Sequence, residues 1–197
     1  MSSLEIIAVL INILGVWLTA QRIRWCWPVS VVAVLLYAWI FFGVKLYSDM
    51  LLQLIFAVLQ GYGWWRWSTG RSEAGKVRVG RLPRHEALLG ALVAGLVALL
   101  LGAVMHHYTD ASVPWLDALL TAFSLLASVW AARKYVASWW LWIVLDIAYV
   151  GLFTYKDLQL TAALYAGFVL LACYGLHAWR KDLLAQEVSQ AVAEPAL

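Results

Sequence analysis

The chain has 197 residues, 64% of them hydrophobic and only 13% charged, with a formal net charge of +3. A soluble domain carries about a quarter charged residues. This composition excludes an ordinary water-soluble enzyme or binding module, because no core of this size buries so much apolar surface in water, and an integral membrane protein is expected.

Apolar runs of about 17–25 residues mark membrane-crossing helices. In chain order they fall at 4–20, 27–44, 48–67, 87–108, 115–132, 139–155 and 159–179. The first run follows Met1-Ser2-Ser3-Leu4-Glu5, with an acid where a signal peptide carries a base. It is therefore expected to be an uncleaved first crossing. The connections are short except for Ser68–Glu86, which is rich in glycine and basic residues and contains Pro83. The expected organisation is a first three-helix repeat (1–67), a cytoplasmic linker (68–86), a linking helix (87–108), a second three-helix repeat (115–181) and a polar, Ala-rich tail (182–197) that frays in water.

The repeat is visible without gaps. At one constant offset, residues 4–67 fall on 116–179, and Trp27 meets Trp139, Tyr37 meets Tyr149, Phe41 meets Phe153 and Phe56 meets Phe168. Tyr62-Gly63 and Trp67 likewise meet Tyr174-Gly175 and Trp179. Two triplets joined directly would point in opposite directions; one extra helix restores a common direction. Parallel repeats about an axis along the membrane normal are a known transporter construction. The predicted fold class is an all-α membrane protein of seven transmembrane helices in a 3+1+3 arrangement.

Of the 14 Lys and Arg residues, all but Lys45 and Lys156 collect on one side of the membrane. Lys and Arg accumulate in the cytoplasm, which places the N-terminus outside and the C-terminus inside. The basic face is thereby explained without nucleic acid, and its expected partner is the lipid bilayer with its anionic headgroups.

Asp146 lies near the middle of the sixth run, where a carboxylate costs about 2.5–3.5 kcal/mol on insertion scales and marks a functional site by default. Helical spacing puts Trp139, Trp142, Asp146, Tyr149 and Phe153 on one stripe. An acid among rings suits a planar cation, through cation–π attraction and charge pairing. The other reading is a carboxyl that hydrogen-bonds a neighbouring helix and nothing else. The matching stripe of the first repeat is Trp27, Ser30, Val34, Tyr37 and Phe41, aromatic but without the acid.

Gln53 and Gln60 share one face of the third helix and serve either to read hydroxyls and carboxamides or as interhelical glue. Asn12, Ser124 and Ser128 pose the same choice, with glue favoured. Tyr165 and Tyr149 present hydroxyls inward or act as core or lipid-facing rings. Trp64, Trp65, Trp67 and Trp179 are expected in the aromatic belt of the cytoplasmic interface. Gly63 and Gly175 are expected to allow close helix packing. Cys26, Cys173, His106, His107 and His177 lack metal-ligand spacing and read as structural or solvated. No cofactor is expected: the phosphate loop and the common hydrolase signatures are missing.

Leu46-Tyr47-Ser48-Asp49-Met50-Leu51-Leu52-Gln53, Tyr62-Gly63-Trp64-Trp65-Arg66-Trp67, Arg133-Lys134-Tyr135-Val136 and Trp140-Leu141-Trp142 together resemble the PnuC family of bacterial vitamin transporters. The resemblance covers residues 4–181. It implies a SWEET-like fold, location in the bacterial inner membrane, and uptake of nicotinamide riboside by facilitated diffusion, with a separate cytosolic kinase trapping the product. Related members carry thiamine or riboflavin, and a trimer is suggested by SWEET-like analogy alone. The family's amide-and-aromatic site maps onto Gln53, Gln60, Trp142 and position 146. Riboside members tend to carry Asn at the positions of Asp146 and Gln60, which makes thiamine a serious alternative. A proton-coupled carrier using Asp146 is a further alternative, whereas a membrane enzyme lacks any converging catalytic pair. The candidate substrate-binding set is Asp146, Trp142, Tyr149, Gln53, Gln60, Tyr37, Tyr165 and Asn12.

Overall fold

In hydrocarbon a backbone must satisfy its own N–H and C=O groups, so each apolar run has to close into a helix. The computed structural model describes residues 3–43, 47–69, 78–109 and 112–193. Among them are seven helices: α1 (Ser3–Ala20), α2 (Cys26–Gly43), α3 (Tyr47–Thr69), α4 (Arg84–Tyr108), α5 (Pro114–Ala132), α6 (Ala137–Tyr155) and α7 (Gln159–Ala193). The connection at Lys45-Leu46 and most of the linker fall outside the described residues. Five helices, α2 and α4–α7, are long and apolar enough to cross a membrane. The apolar part of α1 is the shorter Ile6–Ala20, and α3 is diluted by Gln53, Gln60 and Arg66.

Two tight turns carry the duplication down to the backbone. Arg22 after α1 and Lys134 after α5 occupy equivalent positions, and both adopt left-handed conformations, with φ of 60° and 69°. Such a residue ends a helix and reverses the chain within a few residues. Each triplet packs in sequence, α1 on α2 on α3 and α5 on α6 on α7. The triplets meet through α1 against α7 and α3 against α5, so six helices form a closed ring. Among the described residues α4 packs only on α5, outside the ring, as a connector would.

The basic end of the ring is sealed by four indoles. Gly63 and Gly175 lack the Cβ that would collide with the rings of Trp27 and Trp139, so each glycine is a seat for an indole from the adjoining helix. Trp27 stands edge-on to Trp67 at 5.4 Å and Trp139 edge-on to Trp179 at 5.5 Å, while Trp67 and Trp179 meet at 5.9 Å. Trp67 and Trp179 are 1% and 0% exposed, which overturns their expected place in the lipid-interface belt. Of the four expected there, Trp65, more than half exposed, and the half-buried Trp64, with Arg24 over its ring, suit that position. The reason is hydrogen bonding across the halves. The Trp67 Nε1–H donates to the Ala131 carbonyl, and the Trp179 Nε1–H to those of Thr19 and Ala20, all at 3.2 Å.

The same end carries the described part of the linker. The Gly80 N–H donates to the Lys134 carbonyl (2.9 Å), and its own carbonyl accepts from the Val136 N–H (3.1 Å). Val79 is thereby drawn into the indole cluster. Glu86 accepts from Arg133 (2.6 Å) and Tyr135 (3.0 Å). α7 continues as a helix well beyond the membrane run, and Arg22 and Arg81 pair with its Asp182 and Glu187. These contacts differ in weight. Trp179→Phe removes a buried cross-half hydrogen bond worth about 1 kcal/mol, so the apparent Tm in detergent should fall by about 2–4 °C. Arg81→Ala breaks a solvated ion pair, and its effect should lie within the scatter of repeat melts.

Candidate functional site

Between the halves lies a cavity of about 490 Å³, within the range of small-molecule sites. All eight sequence-predicted residues line it: Asn12 from α1, Tyr37 from α2, Gln53 and Gln60 from α3, Trp142, Asp146 and Tyr149 from α6, and Tyr165 from α7. Both helical stripes face it along their whole length, from Trp27 to Phe41 and from Trp139 to Phe153. A 3.6-residue period inside an otherwise apolar helix is thus enough to place a whole stripe on one wall.

The walls correspond position by position under the repeat. Trp27, Tyr37, Phe41, Leu52 and Phe56 are matched by identical residues at Trp139, Tyr149, Phe153, Leu164 and Phe168. Phe56, Phe168 and the leucines complete a set that the stripes alone do not contain, and the repeat is the signal that points to them. Seven further matched lining positions are not identical, among them Asn12 with Ser124, Val16 with Ser128 and Thr19 with Ala131. Ser30 is matched by Trp142, Val34 by Asp146, Gln53 by Tyr165 and Gln60 by Ala172.

Asp146 is 5% exposed and lines the cavity. It forms neither a hydrogen bond nor an ion pair among the described residues. The other reading of Asp146, a carboxyl hydrogen-bonded to a neighbouring helix, is not seen among the described residues. A buried carboxylate without a partner is costly and invites a cation into the space beside it. Trp142 and Tyr149 come from the same stripe. Tyr149 stacks on Phe153 (5.9 Å, interplanar 16°), and the Tyr165 ring lies 4.7 Å from Tyr149 and 5.1 Å from Phe153. On the opposite half Tyr37 stacks on Phe41 at 6.2 Å. Ser128 is engaged within its own helix, donating to the Ser124 carbonyl at 2.9 Å.

Among the described residues that line it there is no Lys, Arg or His. The described lining therefore carries one acid and no base. No cluster of metal-ligating side chains occurs among the described residues.

The nicotinamide riboside transporter PnuC of Escherichia coli (strain K12) is 27% identical over 175 residues, covering 76% of this chain and 73% of that protein. The riboflavin/roseoflavin transporter RibM of Streptomyces davaonensis is 28% identical over 176 residues, covering 85% and 81%. A crystal structure of the vitamin B3 transporter PnuC shares the fold, with a TM-score of 0.73 and 24% identity over 92% of this chain and 82% of that one. The helices and these bacterial relatives describe a multi-pass inner-membrane protein. A family model described as nicotinamide mononucleotide transporter matches residues 2–181, so the chain belongs to that family of membrane transporters.

Proposed function

We propose that the protein is a uniporter for a flat, positively charged vitamin, and that its cargo is nicotinamide riboside. The observation that carries this reading is the unpartnered Asp146 carboxylate on the wall of an aromatic cavity. A pyridinium ring stacks on indole and phenol and at the same time pairs with the acid. The cavity's lack of any base favours the unphosphorylated nucleoside over a mononucleotide, whose phosphate would meet only Asp146. A neutral flavin would leave the acid unpaired, which separates this chain from its riboflavin-carrying relative. Thiamine is the second reading, favoured by an acid where riboside carriers tend to have Asn.

The two repeats, 1–67 and 115–181, would rock about the cavity while α4 holds them in register, in a SWEET-like manner. The charge bias orients the N-terminus outward and the indole seal toward the cytoplasm. The carrier performs no chemistry on its cargo, and a cytosolic kinase would trap it. A homotrimer is proposed by analogy. In proteoliposomes, labelled riboside should equilibrate down its gradient without ATP or a proton gradient. Accumulation that collapses with a protonophore would instead assign Asp146 to proton coupling. Side-by-side calorimetry should show riboside binding at least tenfold tighter than thiamine; the reverse order would transfer the assignment.

A further inference from the structure

The two repeats share a frame, yet the basic end of the molecule treats them differently. The turn after α5 carries a strap, Val79-Gly80-Arg81: the Gly80 N–H donates to the Lys134 carbonyl, and the Gly80 carbonyl accepts from the Val136 N–H. Under the repeat those turn groups correspond to the Arg22 carbonyl and the Arg24 N–H, which take no such bond among the described residues. The neighbours of the strap point the same way. Arg81 holds Glu187 of α7 in a fork of two hydrogen bonds, and Glu86 at the start of α4 holds Arg133 and Tyr135. All of these partners belong to the second repeat or to its helical extension.

The body of α4 adds a longer tie. Gly90, Ala94, Ala98 and Gly102 recur every four residues and form one stripe of small side chains, which lets membrane helices approach closely. A Cβ on Gly90 would meet Leu126, and one on Gly102 would meet Trp115, both at under 3.0 Å and both on α5. The first repeat instead meets the second at two seams, α1 against α7 and α3 against α5. At the basic end these seams are closed by side-chain donors: the Trp67 and Trp179 indoles, Gln21 against Tyr174 at 2.6 Å, and Arg22 with Asp182.

We propose that the strap is a brace that fuses α4 and the second repeat into one rigid body, so that the first repeat, α1–α3, is the half that moves when the cavity changes side. This rests on the reading of two rocking repeats and adds which of them is anchored. Drawing the second repeat away from α4 would break the backbone bridge, the Glu86 contacts and the glycine seats together. Parting the seams releases side-chain donors at the membrane edge, where water can take the place of the lost partners of Gln21 and Arg22.

Gly80 and Tyr135 are paired across the bridge, and a spacing of about 4.8 Å between paired strands suits a disulfide. In a Cys26→Ala/Cys173→Ala background, Gly80→Cys/Tyr135→Cys should oxidise readily. Riboside uptake by proteoliposomes should then stay within about twofold of the reduced form. Gln21→Cys/Tyr174→Cys, joined across the seam by a short cleavable thiol-reactive linker, should lose at least about tenfold and recover on reduction. Uptake that stops when the strap is crosslinked would mean that the strap leaves its turn in each cycle, and the inference fails. Undiminished uptake with the seam bridged would overturn it as well.

Spin labels give a readout that needs no transport and leaves the strap unaltered. A pair at Arg84→Cys/Lys181→Cys lies within the proposed body and should give one narrow distance, with or without riboside. A pair at Ser68→Cys/Lys181→Cys spans the halves and should give a broader or double distribution. Equal breadth for the two pairs refutes the brace. If the reduced, unlinked protein moves no riboside, the cargo reading fails, and the label distances alone decide the brace.

Discussion

Asp146→Val should make the ligand-free protein more heat-resistant while destroying its affinity for cargo. The two effects share one cause. A carboxylate that is 5% exposed and has no partner among the described residues is a standing penalty in the empty protein. Replacing a buried charge by an apolar side chain of similar size is worth about 1–3 kcal/mol, or about 2–4 °C of apparent Tm for each kcal/mol. In the complex the same carboxylate faces a cation, and removing one member of a buried pair costs about 3–5 kcal/mol. Affinity for a cationic vitamin should then fall by at least about a hundredfold. Asp146→Asn keeps a hydrogen-bonding group but no charge, so it should lose less. Thermal melts with and without riboside, read beside calorimetry, measure both sides. A variant whose Tm drops and whose affinity is unchanged would mean that the acid supports structure and does not meet the cargo.

Stability and binding pull in opposite directions at this position, and that conflict is what makes it legible in the sequence. A membrane helix tolerates a bare acid only where something compensates it, so one Asp among Trp139, Trp142 and Tyr149 is informative by itself. The repeat is informative for a different reason. Identical aromatics at matched positions require matched surroundings, and the cavity walls do correspond residue by residue. Orientation of the stripes follows from helical spacing, because every member must face the same way.

Other features are hidden in the sequence. Trp67 and Trp179 lie at the ends of apolar runs beside Arg66 and Arg180, the usual context of interfacial tryptophan, yet both are core. Lipid tails are as apolar as a protein interior, so sequence apolarity does not say which face of a membrane helix turns inward. What decides is the partner of each indole N–H, a carbonyl contributed by the other half of the chain. The Gly80 bridge to the α5–α6 turn is invisible for a similar reason: it uses only backbone groups distant in sequence. The polar character of the segment after Asp182 suggests a frayed end, but α7 continues as a helix to Ala193. Its Leu, Ala, Gln and Glu residues are good helix formers in water.

The second large effect concerns the two glycines beneath the indole seal, and here the sign of an otherwise favourable substitution should reverse. Alanine in place of a helical glycine gains about 0.5–1 kcal/mol when space allows. At Gly61 and Gly167 nothing lies within 4 Å of an added Cβ, so alanine there should be neutral or mildly stabilising. At Gly63 and Gly175 the added Cβ would meet the rings of Trp27 and Trp139 at under 3.0 Å. Neither indole has an easy retreat, since each is packed edge-on against Trp67 or Trp179 on another side. Overpacking a filled core costs about 1–3 kcal/mol, which exceeds the propensity gain. Each variant should therefore lose several degrees of Tm, and the two losses should be similar because the repeat makes the sites equivalent. Trp27 and Trp139 also line the cavity, so displacing either ring should lower riboside affinity together with stability. Melts of all four glycine variants decide the matter. If Gly63→Ala and Gly175→Ala melt no lower than Gly61→Ala and Gly167→Ala, the indoles are not seated on those glycines and the seal at the basic end is not built as described.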